Sequence, residues 1–269
     1  MKAKLLVLVM LLMLLAPISL SVYADADQNA PIDELDTLSD EALQLVKSER
    51  YEDAKKILEY FSNQFSTVTV KQNPFSMDEL RIVTVAHDEA VEAMTNTSMD
   101  GDERVNKVTK FRLVVDAISS GQQPLWTQME DPVMTTYNEI IQAAEKGDKQ
   151  VFEEKMDSFL SLYDIIYPSL KLDVATEQFQ KLNAHVQFIN TFRLQVFNNS
   201  DQQQELATLH AELEDVFNQV YEDDADPSLW WVIISTGSII ILTLSYVGWR
   251  KYLGDKADKK RKRQSNHKI

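Results

Sequence analysis

The sequence predicts an all-α protein: an extracytoplasmic bundle of stacked antiparallel helices followed by one helix long enough to cross a bilayer. Three observations carry this. Between residues 25 and 229 there are only three glycines, Gly101, Gly121 and Gly147, and the prolines stand where helices should start or stop. Apolar residues recur there at spacings of three and four. The one strict alternation, Thr67-Val68-Thr69-Val70, is too short to found a sheet. Finally, Trp230 to Trp249 is a run of 20 residues without a charge. As a helix it would be about 30 Å long, the thickness of a bilayer's hydrocarbon core.

Residues 1–24 read as a secretory signal. Lys2 and Lys4 precede the apolar run Leu5 to Leu15, Pro17 breaks it, and Val22-Tyr23-Ala24 offers small residues at the cleavage site. Cleavage is expected between Ala24 and Asp25. The alternative is retention as a second anchor, against which the shortness of the run argues.

The first helix is expected over 32–48, with Leu35, Leu38, Ala42 and Val46 on one face, and the second over 51–65. A loop follows through Lys71 to Pro74. Ser76-Met77-Asp78-Glu79 is a capping box that starts a helix running to about Met94. Asp100 or Thr97 caps the next, which Gly121 ends. A helix over 125–146 kinks or restarts at Pro132, Gly147-Asp148 makes a turn, and 149–166 forms another helix that Pro168 interrupts. The last pair, 172–197 and 202–221, makes a hairpin with a coiled-coil-like seam. It packs within its own domain or pairs with a second copy as a homo-oligomer. Glu41–Phe65 and Ile141–Tyr163 resemble each other as helix–turn–helix units, loosely tetratricopeptide-like.

Topology follows from the flanks of the span. Trp230 and Trp231 open it and Trp249 closes it, as amphipathic rings do at membrane interfaces. Arg250 and Lys251 follow, then Lys259-Lys260-Arg261-Lys262-Arg263, and basic flanks stay cytoplasmic. Four segments result: signal peptide 1–24, outer domain 25–228, transmembrane helix 229–249 and cytoplasmic tail 250–269. Residues 25–229 hold 16 Lys+Arg and 40 Asp+Glu, a net of −24, whereas the tail has a net of +7. The outer domain would be repelled by nucleic acid. The basic tail suits anionic lipid headgroups. The chain has no cysteine, so the outer domain stands without disulfides, as 204 residues allow.

Motifs for chemistry are absent. There is no HExxH, no GxSxG and no glycine-rich phosphate loop, and no cofactor or metal is expected. His210 and Glu214 share a helix face at i,i+4 spacing, better read as a surface pair than as ligands. Asp100-Gly101-Asp102-Glu103 begins like a calcium loop but lacks the later ligands. Trp126, alone among the four tryptophans outside the span, gives little platform for sugars. Phe-Arg-Leu occurs twice, at 111–113 and 192–194. Arg112 and Arg193 are candidates for ion pairs that lock helices or for an anion clamp, and Asp116 lies one turn after Arg112.

KVTKFRLVVDAI from Lys107 to Ile118, QPLWTQME from Gln123 to Glu130 and FLSLYDIIYPSLKLDV from Phe159 to Val174 resemble the YpjB sporulation protein family of endospore-forming bacteria. The resemblance extends over the outer domain, the signal segment and the C-terminal span. It implies a membrane protein needed for efficient spore formation and brings no enzymatic activity or functional residue set with it. The expected function is therefore non-enzymatic: a membrane-tethered helical domain that docks another membrane or envelope protein. A ligand sensor and, last, a cell-wall hydrolase are the alternatives.

Overall fold

The computed structural model describes residues 30–72, 74–119, 123–199, 202–223, 233–248 and 250–252. The signal segment with its cleavage site, Trp230, Trp231, Trp249 and the basic run 259–263 lie outside the described residues. The chain divides into two compact units, Met1–Val220 and Tyr221–Ile269.

The described secondary structure is all helical. The first unit comprises α1 (Ala30–Lys47), α2 (Tyr51–Gln72), α3 (Met77–Thr95) and α4 (Gly101–Ser119). After the short 3-10 helix Leu125–Met129 come α5 (Glu130–Lys146), α6 (Lys149–Asp173), α7 (Thr176–Thr191), α8 (Arg193–Asn198) and α9 (Gln203–Asp223), all but the last three residues of which belong to this unit. Two apolar cores hold it together. One gathers α1 to α4 around Leu35, Leu58, Phe61, Val83 and Phe111. The other gathers the 3-10 helix and α5 to α9 around Trp126, Tyr137, Phe152, Phe159 and Phe217. α4 joins them. Val108, Phe111, Val114 and Val115 face the first core, and Leu113 faces the second. A helix walled in on nearly every side cannot keep a clean polar face, so Arg104, Arg112 and Asp116 are buried on it as well.

Local chemistry explains most of the boundaries. The Ser76 hydroxyl accepts from the Glu79 N–H at 3.2 Å while the Ser76 N–H donates to the Glu79 carboxylate at 2.5 Å, a complete capping box. Asp100, not Thr97, caps α4, accepting from the Glu103 N–H at 2.7 Å. The turns of the two look-alike segments are built alike. At the end of α5, Gly147 takes φ 69°, its N–H donates to the Ala144 carbonyl and the Asp148 N–H to the Ala143 carbonyl. At the end of α1, Glu49 takes φ 59°, its N–H donates to the Val46 carbonyl and the Arg50 N–H to the Leu45 carbonyl. Both are Schellman closures, one with the glycine this backbone favours and one without. The two units nevertheless serve different cores.

Four expectations are corrected. α2 continues past Phe65 to Gln72, and the Thr67–Val70 stretch lies inside it. Val68 is buried, the Thr67 hydroxyl donates back to the Asn63 carbonyl, and no helix breaker intervenes before Pro74. α6 runs through Pro168 to Asp173. The missing donor costs about 3 kcal/mol in a helix interior, and burial of Ile165, Ile166, Pro168 and Leu170 around it holds the helix together. The next helix therefore starts at Thr176, not at 172, and it breaks at Phe192 before α8. The segment after Pro124 opens as a 3-10 turn, with α5 proper beginning at Glu130 and placing Pro132 in its first turn, where no N–H is needed.

In the second unit, the helix Ile233–Tyr252 is long and apolar enough to cross a membrane. None of its apolar window is buried in the protein; Ile241, Leu242 and Leu244 are each more than 60% exposed. Two of its hydroxyls bond back within the helix: Ser238 donates to the Ile234 carbonyl and Thr243 to the Ile239 and Ile240 carbonyls.

The two turns make opposite predictions. A Cβ on Gly147 meets nothing within 4 Å, so Gly147→Ala bears only the backbone penalty. It should destabilise the domain by about 1–2 kcal/mol, while Glu49→Gly should stabilise it by up to about 1 kcal/mol. Thermal melts of the two variants beside the parent check both signs.

Candidate functional site

The densest polar cluster lies where the two cores meet. Arg112 on α4 is buried, and its guanidinium reaches across to α1, donating to both oxygens of Asp36 at 2.7 and 3.2 Å. This two-pronged contact suits a planar fork and a carboxylate. Asp116 stands 3.7 Å from the same guanidinium and Asp40 stands 3.8 Å from its Nε. The Ser119 hydroxyl donates to Asp36. Asp116 extends the cluster into the second half of the domain, accepting from the Leu125 N–H at 2.7 Å. Beside it, the Trp126 indole N–H donates to Asp173 at the end of α6, at 2.8 Å. One cation thus ties α1, α4 and the 3-10 helix, and Trp126 adds the end of α6.

The structure brings Arg112, Asp116 and Trp126 into this one cluster. Arg193 belongs elsewhere. At the start of α8 it pairs with Asp157 at 2.6 Å and Glu153 at 3.4 Å, both on α6, and donates to the Asn190 side chain. Arg250 and Lys251 sit exposed at the end of the apolar helix. Of the histidines, His87 contacts the Leu58 carbonyl and lies in the first core against Phe61 and Phe111. His185 contacts Glu212 at 2.7 Å, and His210 stands 3.6 Å from Glu214. Among the described residues no group of three or more His, Asp or Glu is arranged to hold a metal ion.

Three members of these clusters were not legible in the sequence. Asp36 is 76 residues from Arg112, so helical spacing could suggest only Asp116 as its partner. Asp173 lies beyond Pro168, where the helix was expected to have ended. Arg104 is buried with no carboxylate bonded to it. It donates to the Ala93 carbonyl in the last turn of α3, where the helix dipole favours a cation, and to the Asn96 and Met99 carbonyls just beyond that helix, and it lies over the Tyr51 ring at 4.7 Å. The one sequence signal was its place on the apolar side of α4, one turn before Val108.

Protonation is shifted at one member. Withdrawal from water, together with the Asp116 charge, pushes the Asp173 carboxyl up to about 6 against the opposing Trp126 hydrogen bond. The residue is exposed, and its Oδ2 meets the buried Trp126 indole. Nearby on α3 and α4, burial opposes ionisation of Glu89 and Lys107 alike. Their 3.1 Å hydrogen bond prevails in both, with Lys110 helping to hold Glu89 below its ordinary range and the charges of Asp164 and Glu103 helping to hold Lys107 above its own.

Comparison with known proteins places this chain in a family. The family model described as Sporulation protein YpjB matches residues 32–263. The YpjB protein of Bacillus subtilis (strain 168) is 36% identical over 246 residues, covering 91% of this chain and 93% of its own length. No solved structure matches the chain at a significant level.

Two outcomes follow from the cluster. Arg112→Met leaves Asp36 and Asp116 with no cation between them and should destabilise the domain by about 3–5 kcal/mol, measured by denaturant unfolding. Asp173→Asn keeps an acceptor for Trp126 but cannot ionise. Between an unfolded value of about 4 and the folded value of about 6, the folded parent holds the proton and the unfolded chain does not. Parent stability contributed by this group therefore falls as pH rises through that window and stays low above it. The melting-temperature advantage of Asp173→Asn should grow from pH 4 to pH 7 and then level off.

Proposed function

We propose a role from one premise: the chain belongs to the YpjB family of sporulation proteins. Within spore formation it acts as a non-enzymatic, membrane-tethered helical domain that docks another membrane or envelope protein. The N-terminal domain lies outside and the basic C-terminus lies in the cytoplasm against anionic headgroups. The unburied apolar helix Ile233–Tyr252 supports the tether, and the +7 balance of residues 250–269 supports the orientation. A net of −24 between residues 25 and 229 disfavours nucleic acid as a partner.

The observation that carries the docking role is an apolar patch at the break between α7 and α8. Phe188 and Phe192 pack ring to ring at 5.0 Å yet are 36% and 38% exposed, and Leu194 beside them is 51% exposed. Paired aromatic rings left open on an otherwise charged surface are the usual anchor of a protein interface. By contrast, the seam of the hairpin, with Phe179, Leu182, Val186, Leu206, Leu209 and Leu213, is buried in the domain's own core. Self-association through the 172–221 hairpin would have to use this outer face.

Crosslinking of the full chain in sporulating cells should capture a membrane or envelope protein. The double variant Phe188→Ser, Phe192→Asp should reduce that capture by about tenfold or more while melting is unchanged. Capture that persists without the patch, or none at all, rejects the role.

A further inference from the structure

A second surface feature runs against the charge of the domain. Between α3, α4 and α6 lies a cleft of about 210 Å³. Its floor is apolar, formed by Ile82, Val85, Ala86 and Pro168, with Val85 51% exposed. Its rim holds two exposed cations, Arg81 from α3 and Lys171 from α6; the Lys110 side chain from α4 also lines the cleft but is only 11% exposed. Lys110 is held by Glu89 at 3.2 Å and Asp164 at 3.1 Å. Arg81 and Lys171 are exposed and form no ion pair among the described residues. A domain with 16 basic and 40 acidic residues has thus gathered three cations around one apolar hollow, two of them without an ion pair among the described residues. The volume falls below the roughly 300–1,000 Å³ of sites that enclose small-molecule ligands. It suits a single anchoring side chain, with the rim left to grip whatever flanks it.

We propose that this cleft is a docking site for an acidic peptide segment of a partner protein, one that inserts a single aliphatic side chain between flanking carboxylates. The proposal rests on the docking role above but uses a different surface from the aromatic patch. Its chemistry is also opposite to what bulk electrostatics favours. A domain this acidic attracts basic peptides indiscriminately and repels acidic ones, so a preference for an acidic segment can come only from a local cationic site.

The test is direct binding to the purified full chain in neutral detergent micelles, read by anisotropy of peptides carrying a neutral coumarin. The probes are acetyl-Glu-Asp-Leu-Asp-Glu-amide, the same peptide with Ser for Leu, and acetyl-Lys-Lys-Leu-Lys-Lys-amide. The Glu-Asp-Leu peptide should bind tightest, and the Ser peptide about tenfold more weakly. The double variants Arg81→Glu, Lys171→Glu and Arg81→Gln, Lys171→Gln, both of exposed side chains, should weaken the acidic peptide by about tenfold or more at unchanged melting temperature. Equal or tighter binding of the lysine peptide, indifference to both double variants, or no binding up to about 1 mM overturns the proposal. Any of these results leaves the docking role standing, because that role is decided by the aromatic patch and crosslinking in cells.

Discussion

The domain depends on how a few guanidinium groups are placed in an excess of carboxylates. With 16 basic against 40 acidic residues between positions 25 and 229, most carboxylates must be solvated, and repulsion among them works against compactness. Arg112 counters this where it matters. It is 8% exposed, and three carboxylates, Asp36, Asp40 and Asp116, lie within 4 Å of its nitrogens. At an effective dielectric near 20 a pair at this range attracts by about 4 kcal/mol before desolvation is subtracted. Because the group is shared, no lysine could replace it. The fork addresses Asp36 with two nitrogens and leaves the remaining edge for the others, which a single ammonium cannot do.

The position of Arg112 matters as much as its charge. α4 is the wall common to both apolar cores, so a helix that moved would disturb each of them. Apolar packing alone is non-directional and tolerates rotation of a helix about its axis. The contacts on α4 are directional: Arg104 on carbonyls at and just beyond the end of α3, Arg112 on Asp36, and Asp116 on the Leu125 N–H. Each fixes the helix against a different neighbour. Arg193 does the same for α8 against α6. Polar groups thus set the register within which the apolar residues pack.

What the sequence made legible was mostly local. The capping box at Ser76, the cap at Asp100 and the glycine closure at Gly147 need only neighbours a few residues away. The places where the helices differ from expectation are those where distant packing overrode a local preference. Pro168 ordinarily ends a helix, but buried neighbours on both sides keep α6 going. Thr67 to Val70 have β-branched side chains, but Val68 has a core to enter. At Phe192 the apolar pattern gave no warning of a break, because Ile189 and Val196 on either side are both buried. The site shows the same division. Asp116 could be read from its spacing to Arg112; Asp36 and Asp173 could not, since nothing in a linear pattern announces a partner on another helix.

This bears on what the family resemblance itself conveys. The three strings that carry it, 107–118, 123–130 and 159–174, are separate in sequence and meet in the fold. The first supplies Arg112 and Asp116, the second Leu125 and Trp126, and the third Asp173. The strings that look distinctive are therefore the ones that build the joint between the two cores. A guanidinium occupied by Asp36 on one side, with Asp116 and Asp40 on the others, cannot take an external anion without unpairing a carboxylate, and unpairing is costly. The same residues that make the family recognisable are committed to holding the domain in shape. The surfaces free to meet another molecule lie outside that joint: the aromatic step at Phe188 and Phe192, and the cationic rim of Arg81 and Lys171. Functional differences from one such chain to another should accordingly be sought on these outer faces, while the Arg112 cluster answers for whether the domain folds at all.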